Sequence, residues 1–301
     1  MRRRITLVLA SLLAVLALGY GGWLVGPDPS DLATLPAADT VSGPVLYDQV
    51  TQRMVAEHTA TYTFSGSSGG GEARSGWGAM RFTAGPNDTT TFDANVELTS
   101  LSTGRLQAVL LPGTSYLALP PAKGIPVGAP WLKVAARPSS ALGRAMAPLA
   151  DQLRATFDPR ESLGLLLAAG RVTVVGPASV DGTPAVEHRA SIDLHEALAE
   201  ASDPSLRSQF KAMLQAGVHT LRYQLWLDHS GLPLKVRTDL PTAQGVFSVT
   251  GVFARWGDPV KIAAPGAKQV YDADRVEADR AAAAKKAARL LAARRKLRQH
   301  H

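Results

Sequence analysis

With 301 residues, 46% of them hydrophobic, the chain can bury one sizeable core in one or two domains. It has no cysteine, which excludes a disulfide scaffold, a thiolate metal site, a cysteine nucleophile and lipid attachment to an N-terminal cysteine. Its net charge of +7 sits at the two ends, +3 from Arg2, Arg3 and Arg4 and +5 from Asp272 onward, leaving about −1 between, so a basic nucleic-acid-binding body is excluded.

Behind the three arginines, residues 5–26 form a run of 22 without a charge. A secretory signal core has ~7–15 apolar residues and a bilayer span ~20, so the run fits a signal anchor, a transmembrane helix over 1–26. A cleaved signal is the alternative, since the small residues of 34–38 can serve a peptidase. In both cases the arginines stay inside and the main domain is expected outside the cytoplasm, single-pass or secreted. Residues 27–44, rich in Pro, Asp, Ser and Ala, read as a linker.

The body is expected over 45–270. Apolar spacing predicts a short helix over 45–58, then strands over 59–66 and 76–83, split by the Gly/Ser turn of 65–71. Residues 89–99 alternate strictly, Phe92, Ala94, Val96 and Leu98 against Asp93, Asn95 and Glu97, the mark of a sheet with one buried face. Strands over 105–111 and 115–119 follow a Pro112-Gly113 turn, and prolines then punctuate 120–130. A helix over 139–157 has Ser139 or Ser140 as cap and Leu142, Met146, Leu149 and Leu153 as its stripe. Asp158-Pro159 opens a second helix through Ala169, which Gly170 stops. Residues 171–176 and 184–193 pair around Asp181-Gly182, and 194–216 is helical with a break at Asp203-Pro204. Strands over 221–228, 232–240 and 245–255 close the body. Strands, helices, strands is the order of an α+β sheet. The tail 271–301 reads as a basic, Ala-rich, exposed helix, acidic at its start and basic at its end.

No catalytic constellation stands out. His58, His188, His195, His219 and His229 include no i, i+4 pair, and no His-Glu-x-x-His occurs, so no metal is expected. No strand-to-helix Gly-x-Ser-x-Gly elbow or phosphate loop is present. Asp272 and Asp274 read as the acidic first turn of the tail helix.

Several short motifs carry a resemblance. They are Tyr223-Gln224-Leu225-Trp226-Leu227-Asp228, Gly231-Leu232-Pro233, Phe253-Ala254-Arg255-Trp256-Gly257-Asp258-Pro259-Val260 and Ala264-Pro265, with Asp158-Pro159, Val180-Asp181-Gly182-Thr183-Pro184 and Ile192-Asp193-Leu194 upstream. Together, over about 45–270, they resemble actinobacterial lipoproteins of the LppX/LprG type, which are similar to LolA-type carriers. That resemblance implies a half-open, curled antiparallel sheet packed on helices, with an apolar cavity between, and a role in binding or moving lipids or glycolipids in the cell envelope. Two departures are plain: the lipidated cysteine is missing, replaced by the apolar segment as a non-lipidated anchor, and the basic tail is extra.

The expected function is therefore an extracytoplasmic, membrane-anchored lipid-binding or lipid-transfer protein, not an enzyme, with no cofactor. Phe92, Val96, Leu98, Leu106, Leu110, Leu225, Phe247, Val249 and Phe253 are the expected cavity wall for an acyl chain. The same alternation fits a core filled against the helices, so cavity and filled core stand as alternatives. The second expectation is an envelope scaffold without a ligand cavity, in which Arg289, Arg294, Arg295, Lys296 and Arg298 meet an anionic surface. Expected partners are a lipid or glycolipid, the membrane and an envelope protein, but no nucleic acid.

Overall fold

The structure, a computed structural model, describes residues 39–67, 74–84, 90–100, 104–118, 128–201, 204–242 and 245–299. The apolar segment 5–26 and most of the linker lie outside these residues. Among the described residues no helix is long and apolar enough to cross a membrane.

The elements, in chain order, are β1 (Thr40–Ser42), α1 (Gly43–Glu57), β2 (Thr59–Ser67), β3 (Arg74–Ala84), β4 (Thr90–Ser100), β5 (Gly104–Leu111), β6 (Thr114–Ala118) and β7 (Trp131–Ala135). Then come α2 (Ala141–Phe157), α3 (Pro159–Leu163), a 3-10 turn (Gly164–Ala168), β8 (Arg171–Val180) and β9 (Thr183–Asp193). The remainder is α4 (Leu194–Glu200), α5 (Pro204–Gln215), β10 (Thr220–Leu227), β11 (Pro233–Thr242), β12 (Gly245–Ala254), β13 (Val270–Asp272) and α6 (Ala273–Gln299).

All the strands join one open sheet in the order β1-β8-β9-β10-β11-β12-β2-β3-β4-β5-β6-β7-β13. It consists of two meanders, β2–β7 and β8–β12, joined where β12 pairs antiparallel with β2. Every pairing is antiparallel except that of β13 with β7. The β8–β9 hairpin turns at Asp181 and Gly182, both with positive φ (48° and 82°), as the two-residue turn expected from that dipeptide requires.

One face of this sheet is apolar along its whole width. Phe92, Leu110, Leu117 and Leu132 from the first meander share a single core with Ile192, Leu221 and Tyr223 from the second. Leu46, Val50 and Met54 of α1, Leu153 and Phe157 of α2 and Phe210 of α5 complete it. Strands far apart in the sheet can share one core only if the sheet curls around the helices, so the fold is an α+β curled sheet left open at its edges.

Polar contacts fix the helices in place. Ser140 accepts from the Gly143 N–H (3.0 Å) and caps α2. Asp158 accepts from the Arg160 N–H (3.0 Å), pairs with the Arg160 guanidinium (2.6 Å), and so caps α3. Arg154, on the last turn of α2, donates to the carbonyls of Phe92 (3.1 Å) and Leu111 (2.7 Å) and to Ser115 Oγ (3.4 Å). This one side chain closes the backbone accounts of two strands beneath a helix.

The tail helix starts by docking. Asp274 Oδ1 accepts from the Ser140 N–H (2.8 Å) and Glu277 Oε1 from the Ala141 N–H (3.1 Å), so two carboxylates of α6 sit on the positive end of α2. Lys133 Nζ pairs with Asp272 Oδ2 (2.8 Å), and Asp272 also accepts from the Arg275 N–H. From Glu277 to Leu290 the described side chains of α6 are exposed, Leu290 at 60%, as the thin apolar stripe of the sequence predicts.

The second helix differs from expectation. It is α-helical only to Leu163 and then winds as a 3-10 turn, which brings Leu163 and Leu166, three residues apart, onto one buried face.

Replacing Arg154 by Met removes the bonds it donates to the carbonyls of Phe92 and Leu111. The expected cost is about 1–3 kcal/mol in denaturant titration. A second outcome concerns pH. The hydrogen bond from Ser140 holds the Asp274 carboxyl below its ordinary range. Partial burial raises that of Asp272, but Lys133 and the Arg275 N–H outweigh it and hold it low as well. A depressed folded value means the stabilisation is full above the unfolded pKa of about 4 and disappears as pH falls through the folded value. Wild type should therefore lose more stability than Asp274→Asn between about pH 5 and pH 3, measured by the same titration.

Candidate functional site

Strand registry orders the concave face into rows. One row runs Leu110, Ala94, Met80 and Ala60 across β5, β4, β3 and β2, and all four are fully buried. The next runs Ala108, Val96, Gly78, Tyr62 and Phe253. The third runs Leu106, Leu98, Gly76, Phe64 and Gly251, and its side chains are only half-buried. Beyond it lie Gly66 and Val249, and then Phe247 paired with Leu240. Across β2–β5 and β12 burial thus decreases in one direction along the strands, whereas Leu225, Tyr223 and Leu221, which continue the outer rows on β10, stay fully buried. At one end sheet and helices meet side chain to side chain; at the other a half-exposed apolar rim faces out.

The nine expected wall residues divide along this gradient. Phe92, Val96, Leu110, Leu225 and Phe253 are buried members of the core, and Leu98 and Leu106 pack against it half-buried. Phe247 and Val249 share the concave face but stand outside the packed core, Val249 at 36% exposure. The side chains of Arg289, Arg294, Arg295, Lys296 and Arg298 lie outside the described residues.

Two aromatic residues absent from the expected wall stand at its centre. Phe64 lies over Gly76 and Tyr62 over Gly78, where a β-carbon would strike each ring. Both rings meet Phe157 of α2, with centroids 5.0 Å and 5.7 Å away. The signal was present in β2, where Tyr62 and Phe64 alternate with Thr59, Thr61 and Thr63. Tyr62 and, on β10, Tyr223 carry hydroxyls that are buried without a hydrogen-bond partner among the described residues. Burial alone pushes both phenols far above their ordinary pKa, so both remain protonated donors at any physiological pH. Two unpaired donors therefore sit inside an apolar interior.

Histidine placement holds a pairing that local spacing does not show. His195 and His219 stack with ring centroids 5.6 Å apart. Among the described residues no group of three or more His, Cys, Asp or Glu is placed to hold a metal ion. His188 is buried on the concave side of β9, and burial lowers its pKa.

A cleft of about 560 Å³ opens beside this interior, between α1 and the turn after β10. Leu46, Val50 and Leu227 form its floor, and each also belongs to the core. Gln49, Gln52 and Arg53 line one side, His229, Ser230 and Gly231 the other. None of these was singled out in the sequence as a site, since α1 and the turn meet only in the folded chain.

No family model matches the chain. It is 27% identical over 148 residues to an uncharacterized 31.2 kDa protein from the rplA-rplJ intergenic region of Streptomyces griseus. That match covers 48% of this chain and 48% of that protein, so the chain spans about half the length of the curated relative it matches. Among solved structures it is similar to LprF of Mycobacterium bovis, at 14% identity and a TM-score of 0.41, over 74% of this chain and 97% of that one. It is also similar to the Mycobacterium tuberculosis lipoprotein LppX, at 12% identity and a TM-score of 0.43, over 73% and 99%. A LolA superfamily protein of Nitrosomonas europaea is similar at 8% identity and a TM-score of 0.18, over 73% and 96%.

Tyr62→Phe removes a hydroxyl that is desolvated without compensation. The variant is expected to be as stable as wild type or more stable by about 1 kcal/mol in urea titration, whereas loss of a satisfied hydroxyl would destabilise it.

Proposed function

We propose that the chain is an extracytoplasmic lipid-binding or lipid-transfer protein, tethered by its N-terminal apolar segment, that holds an acyl chain or glycolipid between the concave face and the helices. The observation that carries this reading is the burial gradient. Leu98, Leu106, Phe64, Val249 and Leu240 leave apolar surface half-exposed at one end of a face that is otherwise dry. A filled, self-sufficient core gains nothing from such a rim, but an acyl chain entering from that end buries it. Each buried methylene is worth about 0.8 kcal/mol, so a chain of about sixteen carbons offers on the order of 10 kcal/mol before ordering costs. Because the far rows are already packed, loading displaces the helices from the rim rather than filling a standing void. The unpaired hydroxyls of Tyr62 and Tyr223 suit a guest with an ester or amide carbonyl. No step in this reading asks for a catalytic residue or a cofactor.

Native mass spectrometry of the protein purified from its membrane fraction tests the reading. The expected spectrum carries a lipid-sized mass increment, or acquires one on addition of phospholipid. In Val249→Lys, a change tolerated at a half-exposed position, the increment should fall several-fold while the melting temperature holds. A wild-type chain that arrives lipid-free and ignores added lipid overturns the proposal.

A further inference from the structure

We infer that the cleft between α1 and the β10–β11 turn, which lies at the packed end of the strands opposite the rim, is a second site, for an amphiphile with an anionic head; this rests on the lipid-binding reading and adds to it a charged site apart from the rim. Arg53 carries the argument. Its stem lies against Gly231, with Cγ 3.9 Å from where a β-carbon would stand, so the turn leaves room for that side chain to cross the cleft. Its guanidinium has no hydrogen bond or ion pair among the described residues, and no carboxylate lines the cleft. The acidic groups nearby are turned elsewhere. Asp228 is held within the turn, its Oδ1 accepting from the Ser230 N–H (2.8 Å), the Ser230 hydroxyl (2.7 Å) and the Leu232 N–H (2.9 Å). Glu57, one helical turn beyond Arg53, faces Gly257.

That wall is rigid as well as free of acid. The Gly231 N–H donates to the Asp228 carbonyl (3.1 Å), and the Asp228 N–H to the Leu232 carbonyl (2.9 Å). His229, also without a partner among the described residues, is one of the residues lining the cleft on this side. A planar, always-charged guanidinium in a cleft that an imidazole and the Gln49 and Gln52 side-chain amides also line suits a phosphate or carboxylate. The floor below them, Leu46, Val50 and Leu227, is apolar and continuous with the core. A cation above an apolar floor, in a volume of the size of small-molecule sites, fits an anion joined to an alkyl chain rather than a free anion.

Calorimetric titration of the full chain with dodecyl phosphate, dodecanol and inorganic phosphate, each kept below its micelle concentration, tests the assignment. Dodecyl phosphate should bind on the order of tenfold more tightly than dodecanol, and inorganic phosphate much more weakly than either. Arg53→Ala should bring dodecyl phosphate down to the level of dodecanol and leave dodecanol unchanged, while Arg53→Lys keeps part of the difference. If Arg53→Ala binds dodecyl phosphate like wild type, the headgroup site is overturned and the lipid-binding reading stands. Inorganic phosphate binding as tightly as dodecyl phosphate also overturns it, in favour of a free-anion site. If neither alkyl ligand binds wild type, both inferences fall together.

Discussion

A single sheet with one apolar face and only a few helices to cover it has to bend. Flat, the thirteen strands would span far more surface than α1, α2 and α5 can shield, and much of the apolar face would meet water. Curling brings Leu117 and Leu132 at one side and Ile192 and Leu221 at the other into the same core. Everything else follows from that bend. The helices become an inner layer, the two edge strands remain apart, and the concave surface has two unlike ends.

Charged groups act where the bend leaves backbone uncovered. Arg154 reaches from α2 to the Phe92 carbonyl on β4, beyond the last β4–β5 pair at Ala94 and Leu110, and to the Leu111 carbonyl at the end of β5. The first turn of α6 supplies the carboxylates that the N-terminus of α2 lacks in its own sequence. Both are long-range contacts: Arg154 ties the helical layer to β4, β5 and β6, and the first turn of α6 ties it to the sheet edge at β7 and β13.

Strong periodicity was legible in the sequence, and short or composite features were not. Residues 89–99 showed their buried face at once, because Phe92, Ala94, Val96 and Leu98 alternate with polar neighbours over a long strand. The five residues of β7, Leu132 and Val134 among them, follow a proline-rich stretch and are too few to establish a period. Strands β1 and β13, three residues each, exist only because a neighbour offers an edge. The outer positions of β4 read as solvated. Yet Asp93 is buried beside Arg81, and Asn95 donates to the Lys261 carbonyl, because the chain after β12 crosses over that face. The candidate site divides in the same way. Its wall residues on β4, β5, β10 and β12 follow from alternation, whereas the degree to which each is buried, and the placing of Arg53 and His229 on one cleft, depend on the folded chain.

The two buried tyrosines sharpen the proposed role. A phenylalanine at Tyr62 or Tyr223 would fill the same space and avoid about 1–3 kcal/mol of uncompensated desolvation at each hydroxyl. In a core that served only stability, that cost has no return. A guest with a carbonyl at the right depth would recover it on binding, since an acceptor entering a dry site gains the full strength of a bond made away from water. The penalty carried by the empty protein is then part of the affinity for a polar-headed lipid over a plain hydrocarbon. On the proposed reading, discrimination would arise from the two donors left unpaired among the described residues, and the guest would enter at the half-exposed rim of β2–β5 and β12.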